Sequence, residues 1–167
     1  LSIGMAFGQT VEESFTRDPG PLDLIRGEGH EQAILQALAG DALVGIDAGG
    51  RPVPRLALRW EVLPWGLKFH LREARFIDGS PVRPEDVVWT YRQLQAQADA
   101  SPSKKALLQD LAVSGTGLQV EVRARRPAER LLLELARIPI AREGAPAVGS
   151  GPYRMSRNGA EWRFEAR

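Results

Sequence analysis

Cysteine is absent from this chain, and histidine is limited to His30 and His70. The lack of cysteine excludes disulfides, cysteine-ligated zinc, iron–sulfur clusters and thiol catalysis. No apolar run approaches the roughly 20 residues that a membrane-spanning helix needs, so we expect no membrane insertion. The net charge is only +1, and this balance predicts neither a nucleic-acid partner nor a charged membrane surface as a partner.

The 167 residues, 43% of them hydrophobic and 26% charged, are enough for one folded domain with a sizeable core. Alternating apolar residues predict strands over residues 1–7, 41–47, 58–63, 67–71 and 118–124, and Asn158-Gly159 predicts a second hairpin turn. Helical spacing predicts helices over residues 28–39 (stopped by Gly40), from Pro84, over 103–111, and from Pro127 to Ala136. The expected fold class is α/β, a mixed sheet with flanking helices and β-hairpins.

Enzymatic motifs are incomplete. His30-Glu31 begins like a zinc-protease helix, but Ile34 occupies the position of the second histidine. Ser150 lacks the glycines two residues to either side that a nucleophile elbow requires. His70 is expected to be a solvated surface residue, and His30 a helix-terminus residue unless a family resemblance gives it a role. We therefore expect a protein that is not an enzyme and has no cofactor.

The arginines cluster near the end of one predicted strand. The members are Arg123, Arg125, Arg126 and Arg130. A nucleic-acid surface would add interleaved aromatic residues and a net positive domain. Neither feature is present, so the cluster predicts a solvated face with ordinary salt bridges.

Several short motifs occur in a fixed order from residue 50 onward. They are Gly50-Arg51-Pro52-Val53-Pro54, Phe69-His70-Leu71-Arg72, Phe76-Ile77-Asp78-Gly79-Ser80-Pro81 and Gly149-Ser150-Gly151-Pro152-Tyr153. Their order and spacing resemble the N-terminal part of family 5 extracellular solute-binding proteins, the oligopeptide-, dipeptide- and nickel-binding components of ABC importers. Pro84 departs from the alanine of the family pattern.

The resemblance implies lobe one of a periplasmic-binding-protein-like (type II) fold, covering residues 1–167. Its function would be to bind a solute, expected to be a peptide, in a cleft between two hinged lobes. The partners would be that peptide or another small solute and the permease subunits of an ABC importer. The location would be periplasmic or extracellular. Because family members are much longer, we expect the second lobe to be missing here, solute binding by this chain alone to be weak, and an apolar face to be exposed.

The resemblance also implies which residues contact the solute. The loop after the first strand lies near the cleft in family members, which assigns Glu28, Gly29 and His30 as ligand-binding residues. Ser101, in the loop after the long helix, is a further candidate. The alternative for Glu28 is a helix-start carboxylate, and the alternative for Ser101 is a helix cap.

The resemblance gives other residues structural roles. Gly149, Gly151, Pro152 and Tyr153 are expected to form a chain reversal that approaches the hinge. Core positions are expected at Trp60, Phe69, Phe76, Val87 and Val88.

Two other functional classes stay open. Similar lobes occur in regulatory proteins, where occupancy by a ligand controls a partner domain, and a DNA-binding motif upstream of Leu1 would indicate that class. A hydrolytic enzyme would require His30 to cluster with two carboxylates around a metal.

Overall fold

The computed structural model describes residues 10–15, 18–96, 108, 110–158 and 161–166. The strand predicted over residues 1–7 lies outside these residues, as does most of the helix predicted over residues 103–111. The elements in chain order are β1 (Thr10–Ser14), α1 (His30–Ala39), β2 (Val44–Ile46), β3 (Pro52–Pro54), β4 (Ala57–Leu63), β5 (Gly66–Leu71), α2 (Pro84–Ala96), β6 (Ala112–Thr116), β7 (Gln119–Arg123), α3 (Ala128–Leu135), β8 (Ala141–Arg142), β9 (Ala145–Gly149), β10 (Tyr153–Asn158) and β11 (Glu161–Ala166).

The largest sheet has four antiparallel strands in the order β4-β5-β7-β6. Strands β5 and β7 lie at its centre, and β4 and β5, the strands predicted over residues 58–63 and 67–71, form a hairpin at one edge. Leu67, Phe69 and Leu71 are buried on one face of β5, because alternate side chains of a strand point to opposite faces. Strand β6 was not predicted: its sequence is small and polar, so its apolar alternation is weak.

The remaining strands form three smaller sheets, β1-β11-β10, β2-β3 and β8-β9. Every strand pair among the described residues is antiparallel. The α/β class with flanking helices and hairpins is therefore confirmed. In place of one sheet of mixed direction there are four antiparallel sheets, since short turns join many of the paired strands and a short turn can only reverse the chain. The hairpin of β10 and β11 is as predicted, although Gly159 lies outside the described residues.

Helix α2 begins at Pro84 as predicted. The Asp86 carboxylate accepts a hydrogen bond from the Arg83 amide at 2.8 Å, which satisfies one of the unpaired donors at a helix start. Val87, Tyr91 and Leu94 are buried against the sheet. Val88 was expected in that buried stripe but is only partly buried.

Helix α1 begins at His30, two residues later than predicted. Gly40 ends the helix as predicted, but in an extended conformation (φ −106°) rather than the left-handed one in which glycine often ends a helix. Gly40 is instead needed for close packing, because a Cβ there would lie 2.5 Å from the Cβ of Pro139. Helix α3 follows Pro127, which the sequence placed at its start.

Two hydrophobic clusters stabilise the chain. The larger one includes Phe69 and Phe76, both fully buried, and Trp60 packs at its margin, partly exposed, rather than inside it. The smaller one joins Leu35 of α1 to Trp162 and Phe164 of β11. Helix α1 therefore contacts both clusters, since Ala39 at its other end belongs to the larger one.

The arginine cluster forms salt bridges, as predicted. Arg126 lies 2.7 Å from Glu134 and 3.1 Å from Asp110, and Arg130 lies 2.9 Å from Glu134. Arg123 lies 3.4 Å from Glu121.

His70 departs from the prediction of a solvated side chain. Its Nε2 lies 2.6 Å from Oε1 of Glu61 across the β4–β5 pair, and its side chain is 18% exposed. His70 itself lies opposite Arg59, and Glu61 lies diagonally across the strand pair. The hydrogen bond between Nε2 and the Glu61 carboxylate explains the difference, because it holds the imidazole along the sheet surface.

Candidate functional site

The turn before α1 brings three of the predicted site residues together. Glu28, Gly29 and His30 are consecutive and exposed, and His30 is the first residue of the helix. Gly29 has a φ of +93°, a conformation that favours glycine. No hydrogen bond or ion pair joins the side chain of Glu28 or His30 to another described residue. The turn thus offers a carboxylate, a backbone N–H and an imidazole to solvent.

The fourth predicted site residue, Ser101, lies outside the described residues. Its assignment stays a prediction.

Two glutamines of α1 fix the loop that leads to this turn. The Gln32 carboxamide donates to the carbonyl oxygens of Pro19 at 2.6 Å and Pro21 at 2.8 Å. The Gln36 carboxamide donates to the carbonyl oxygens of Asp23 at 2.8 Å and Gly27 at 2.9 Å. Because the two glutamines are four residues apart, they lie one above the other on the same helix face. Sequence analysis missed them; their signal is a Gln-x-x-x-Gln spacing that follows a proline-rich loop.

The loop also stabilises itself. Oδ1 of Asp23 accepts hydrogen bonds from the amides of Ile25 and Arg26, each at 2.8 Å, the side-chain turn typical of aspartate. Gly27 lies so close to its neighbours that a Cβ there would be 2.5 Å from the Asp23 carbonyl and 2.7 Å from Nε2 of Gln36. A side chain at position 27 would therefore displace the loop.

The base of the loop is anchored in the large cluster. Leu24 and Ile25 are buried, and the Leu24 amide donates to the Pro146 carbonyl at 2.9 Å. The exposed turn is therefore built on a fixed support, which is the arrangement expected of a binding loop.

The segment from Gly149 to Tyr153 crosses the end of α1. The Gly151 amide donates to the Ala39 carbonyl at 2.8 Å, and the Gly149 carbonyl accepts from the Ile77 amide at 2.9 Å. A Cβ on Gly151 would lie 2.5 Å from the carbonyl carbon of Ala39. The glycines are thus required for close approach of two backbones; neither has a positive φ. Their predicted part in a hinge stays a prediction.

A groove of about 460 Å³ runs beside α1, between β2 and the turn that follows α3. Its charged lining residues are Asp41, Arg55 and Arg137, and the Asp41 carboxylate lies 3.1 Å from Arg72 with its side chain only 12% exposed. Burial raises the pKa of Asp41 above its usual range, and the positive charges of Arg55 and Arg72 act in the opposite direction. Asp41 could not be singled out from local sequence, because its partner Arg72 lies 31 residues away.

No three histidine or carboxylate side chains within the described residues come together in a way that could hold a metal ion. His30 in particular is not joined to any carboxylate by a described contact. No helix among the described residues is long and apolar enough to cross a membrane.

Comparison with known proteins identifies the class and then the family. The fold is that of a periplasmic binding protein: the murein tripeptide binding protein MppA of Escherichia coli matches with a TM-score of 0.74 at 18% identity, over 87% of this chain and 35% of that structure. The profile of the bacterial extracellular solute-binding proteins, family 5 (middle region), matches residues 51–167. The chain therefore belongs to the family 5 extracellular solute-binding proteins.

Two curated relatives are named for different solutes. The periplasmic oligopeptide-binding protein OppA of Salmonella typhimurium is 30% identical over 102 residues, which is 60% of this chain and 19% of OppA. The probable deoxycholate-binding periplasmic protein YgiS of Escherichia coli is 35% identical over 88 residues, 51% of this chain and 16% of YgiS. This chain thus spans about a third of the solved structure and matches less than a fifth of either relative.

Proposed function

We propose that this chain is one lobe of a solute-binding protein of an ABC importer, that it acts outside the cytoplasmic membrane, and that its solute is a peptide. The observation that carries the proposal is the turn of Glu28, Gly29 and His30, whose polar side chains have no partner among the described residues and lie on a fixed loop in a chain of this family. The greater length of the relatives supports a cleft whose opposite wall comes from a second lobe.

The chemistry of the turn suits a peptide. The Glu28 carboxylate can accept from the ammonium group of a peptide N-terminus, a charge-assisted hydrogen bond. The Gly29 backbone, free of a side chain, can pair with the main chain of an extended peptide in the manner of an added strand. His30 can donate to a peptide carbonyl oxygen. These contacts are made to the peptide main chain, so they favour peptides over other solutes without selecting among side chains.

The proposal is tested by titrating the chain with a short peptide and following backbone amide signals by NMR. We expect the signals of residues 28–30 to shift, with a dissociation constant in the millimolar range, about −4 kcal/mol, because one wall of the cleft acts alone. A peptide with an acetylated N-terminus should bind more weakly. Glu28→Gln should weaken binding as well, whereas the matched control Glu73→Gln, at another exposed carboxylate, should not.

Two results would contradict the proposal. One is a set of shifts that maps away from the turn. The other is tight peptide binding that persists in the Glu28→Gln variant, since the chain would then hold a complete site elsewhere.

A further inference from the structure

The free edge of β4 is unusual in its apolar exposure. Leu58 is 60% exposed and Val62 is 64% exposed. Among the described residues β4 pairs only with β5, so its other edge meets no described strand. An edge strand with exposed apolar residues is a template for pairing with a further strand.

The two faces of β4 differ in character. Leu58, Trp60 and Val62 alternate with Arg59 and Glu61, and alternate residues of a strand lie on opposite faces. In the β4–β5 register, Arg59 lies opposite His70 and Glu61 opposite Lys68. The charged residues of β4 therefore lie on the polar outer face of the sheet, and the apolar residues lie on the face that covers the core.

The sequence of this edge is complementary to itself. If a second β4 pairs antiparallel with Trp60 opposite Trp60, each Arg59 lies opposite a Glu61 and each Leu58 opposite a Val62. Two ion pairs then form on the outer face and two apolar pairs on the inner face. Both are cross-strand pairs that stabilise sheets. The interface is isologous, as in most homodimers.

The two neighbouring antiparallel registers place like charges together. Pairing centred on Glu61 sets one Glu61 against the other, and pairing centred on Arg59 does the same for the arginines. A parallel pair in register aligns both like charges. The β-bulge between Ala57 and Arg59 further limits the pairing length, since a bulge interrupts the regular ladder. The charges therefore favour the register centred on Trp60 over its two neighbours and over the parallel pair.

We propose that two copies of this chain associate through antiparallel pairing of their β4 edges, centred on Trp60. The contact is one strand wide, much smaller than the roughly 1,600 Å² of a standard interface. The association is therefore weak, and the dimer fraction depends on protein concentration.

The decisive experiment is sedimentation of charge-reversed variants across a series of protein concentrations. Arg59→Glu and Glu61→Arg each replace the two attractive Arg59–Glu61 pairs between the copies by two repulsive pairs. Each variant should therefore weaken dimerisation about tenfold. The double variant R59E/E61R restores opposite charges in this register only, and should dimerise like the wild type. It also keeps a carboxylate on the strand beside His70. Leu133→Lys, at an exposed leucine of α3, is the control and should change nothing.

A second experiment uses the absence of cysteine. Leu58→Cys and Val62→Cys are each single-cysteine variants at exposed positions, so their folding is not at issue. When the two are mixed under mild oxidation, the register predicts a disulfide-linked dimer, and it predicts much less linkage in either variant alone. A monomer at every concentration, a double reversal that fails to restore association, or equal linkage in the mixed and single samples would overturn the proposal.

Discussion

Gln36→Met tests whether the α1 glutamines determine the shape of the loop that precedes α1. Methionine has about the same length as glutamine and no hydrogen-bond donor. The substitution removes both hydrogen bonds from Gln36, to the carbonyls of Asp23 and Gly27. The Asp23 carbonyl keeps a second bond, from the Gly27 amide at 3.1 Å, whereas the Gly27 carbonyl loses the donor that Gln36 supplies.

The expected loss of stability follows from the two hydrogen bonds that Gln36→Met removes. A partly buried hydrogen bond contributes about 1 kcal/mol net, so the free energy of unfolding should fall by about 2 kcal/mol. For a domain of this size that loss corresponds to a decrease in Tm of about 4–8 °C.

Thermal unfolding measures the total effect, and amide hydrogen exchange locates it. We expect faster exchange at Ile25, Arg26 and Gly27, the amides of the loop. Gln93→Met is the matched control, because no hydrogen bond joins the Gln93 side chain on α2 to another described residue. If Gln36→Met unfolds at the wild-type temperature and the loop amides exchange at wild-type rates, the glutamines do not hold the loop and the reasoning fails.

Three further predictions concern buried groups. Tyr91→Phe should stabilise the chain by about 1 kcal/mol, because the Tyr91 hydroxyl is buried without a described partner; chemical denaturation measures this, and a loss of stability would show that the hydroxyl is bonded. Asp41 binds its proton more tightly when folded, since burial raises its pKa, so its contribution is largest in acid and declines as pH rises through the raised value. The unfolding free energy of the wild type relative to Asp41→Asn should therefore decrease from acidic to neutral pH, and an increase would mean that the arginines outweigh burial. Gly151→Ala should cost about 1–3 kcal/mol in thermal unfolding, because its Cβ would meet the Ala39 backbone, and a neutral result would show that the crossing can open.

Sequence periodicity predicted the parts of the fold in which local pattern decides the structure. The alternation in β5 and the proline start of α2 each report a strong preference over a few residues. Strand β6 was missed because its residues, Ala112–Thr116, carry little apolar contrast. The four-sheet arrangement was missed because β1 pairs with β11, and a pairing across nearly the whole chain leaves no local signal.

The candidate site likewise combines residues that could be predicted from the sequence with contacts that could not. Its three surface residues came from a family resemblance and not from the residues themselves, because an exposed Glu-Gly-His has no distinctive chemistry. The supporting contacts could not be predicted, since Gln36 reaches back 13 residues to Asp23 and Asp41 reaches forward 31 residues to Arg72. Each such contact exists only after the chain has folded around α1.

These contacts make α1 the element that places the turn. Its start is tied to the preceding loop by Gln32 and Gln36, and its end is enclosed by the crossing at Gly151. Because one helix face contacts the small cluster through Leu35, a shift of α1 would have to disturb the loop, the crossing and that cluster at once. Residues outside the turn therefore determine the position of Glu28 to His30. It follows that substitutions at Gln36 should change solute binding and loop exchange together, whereas substitutions at Glu28 should change binding alone.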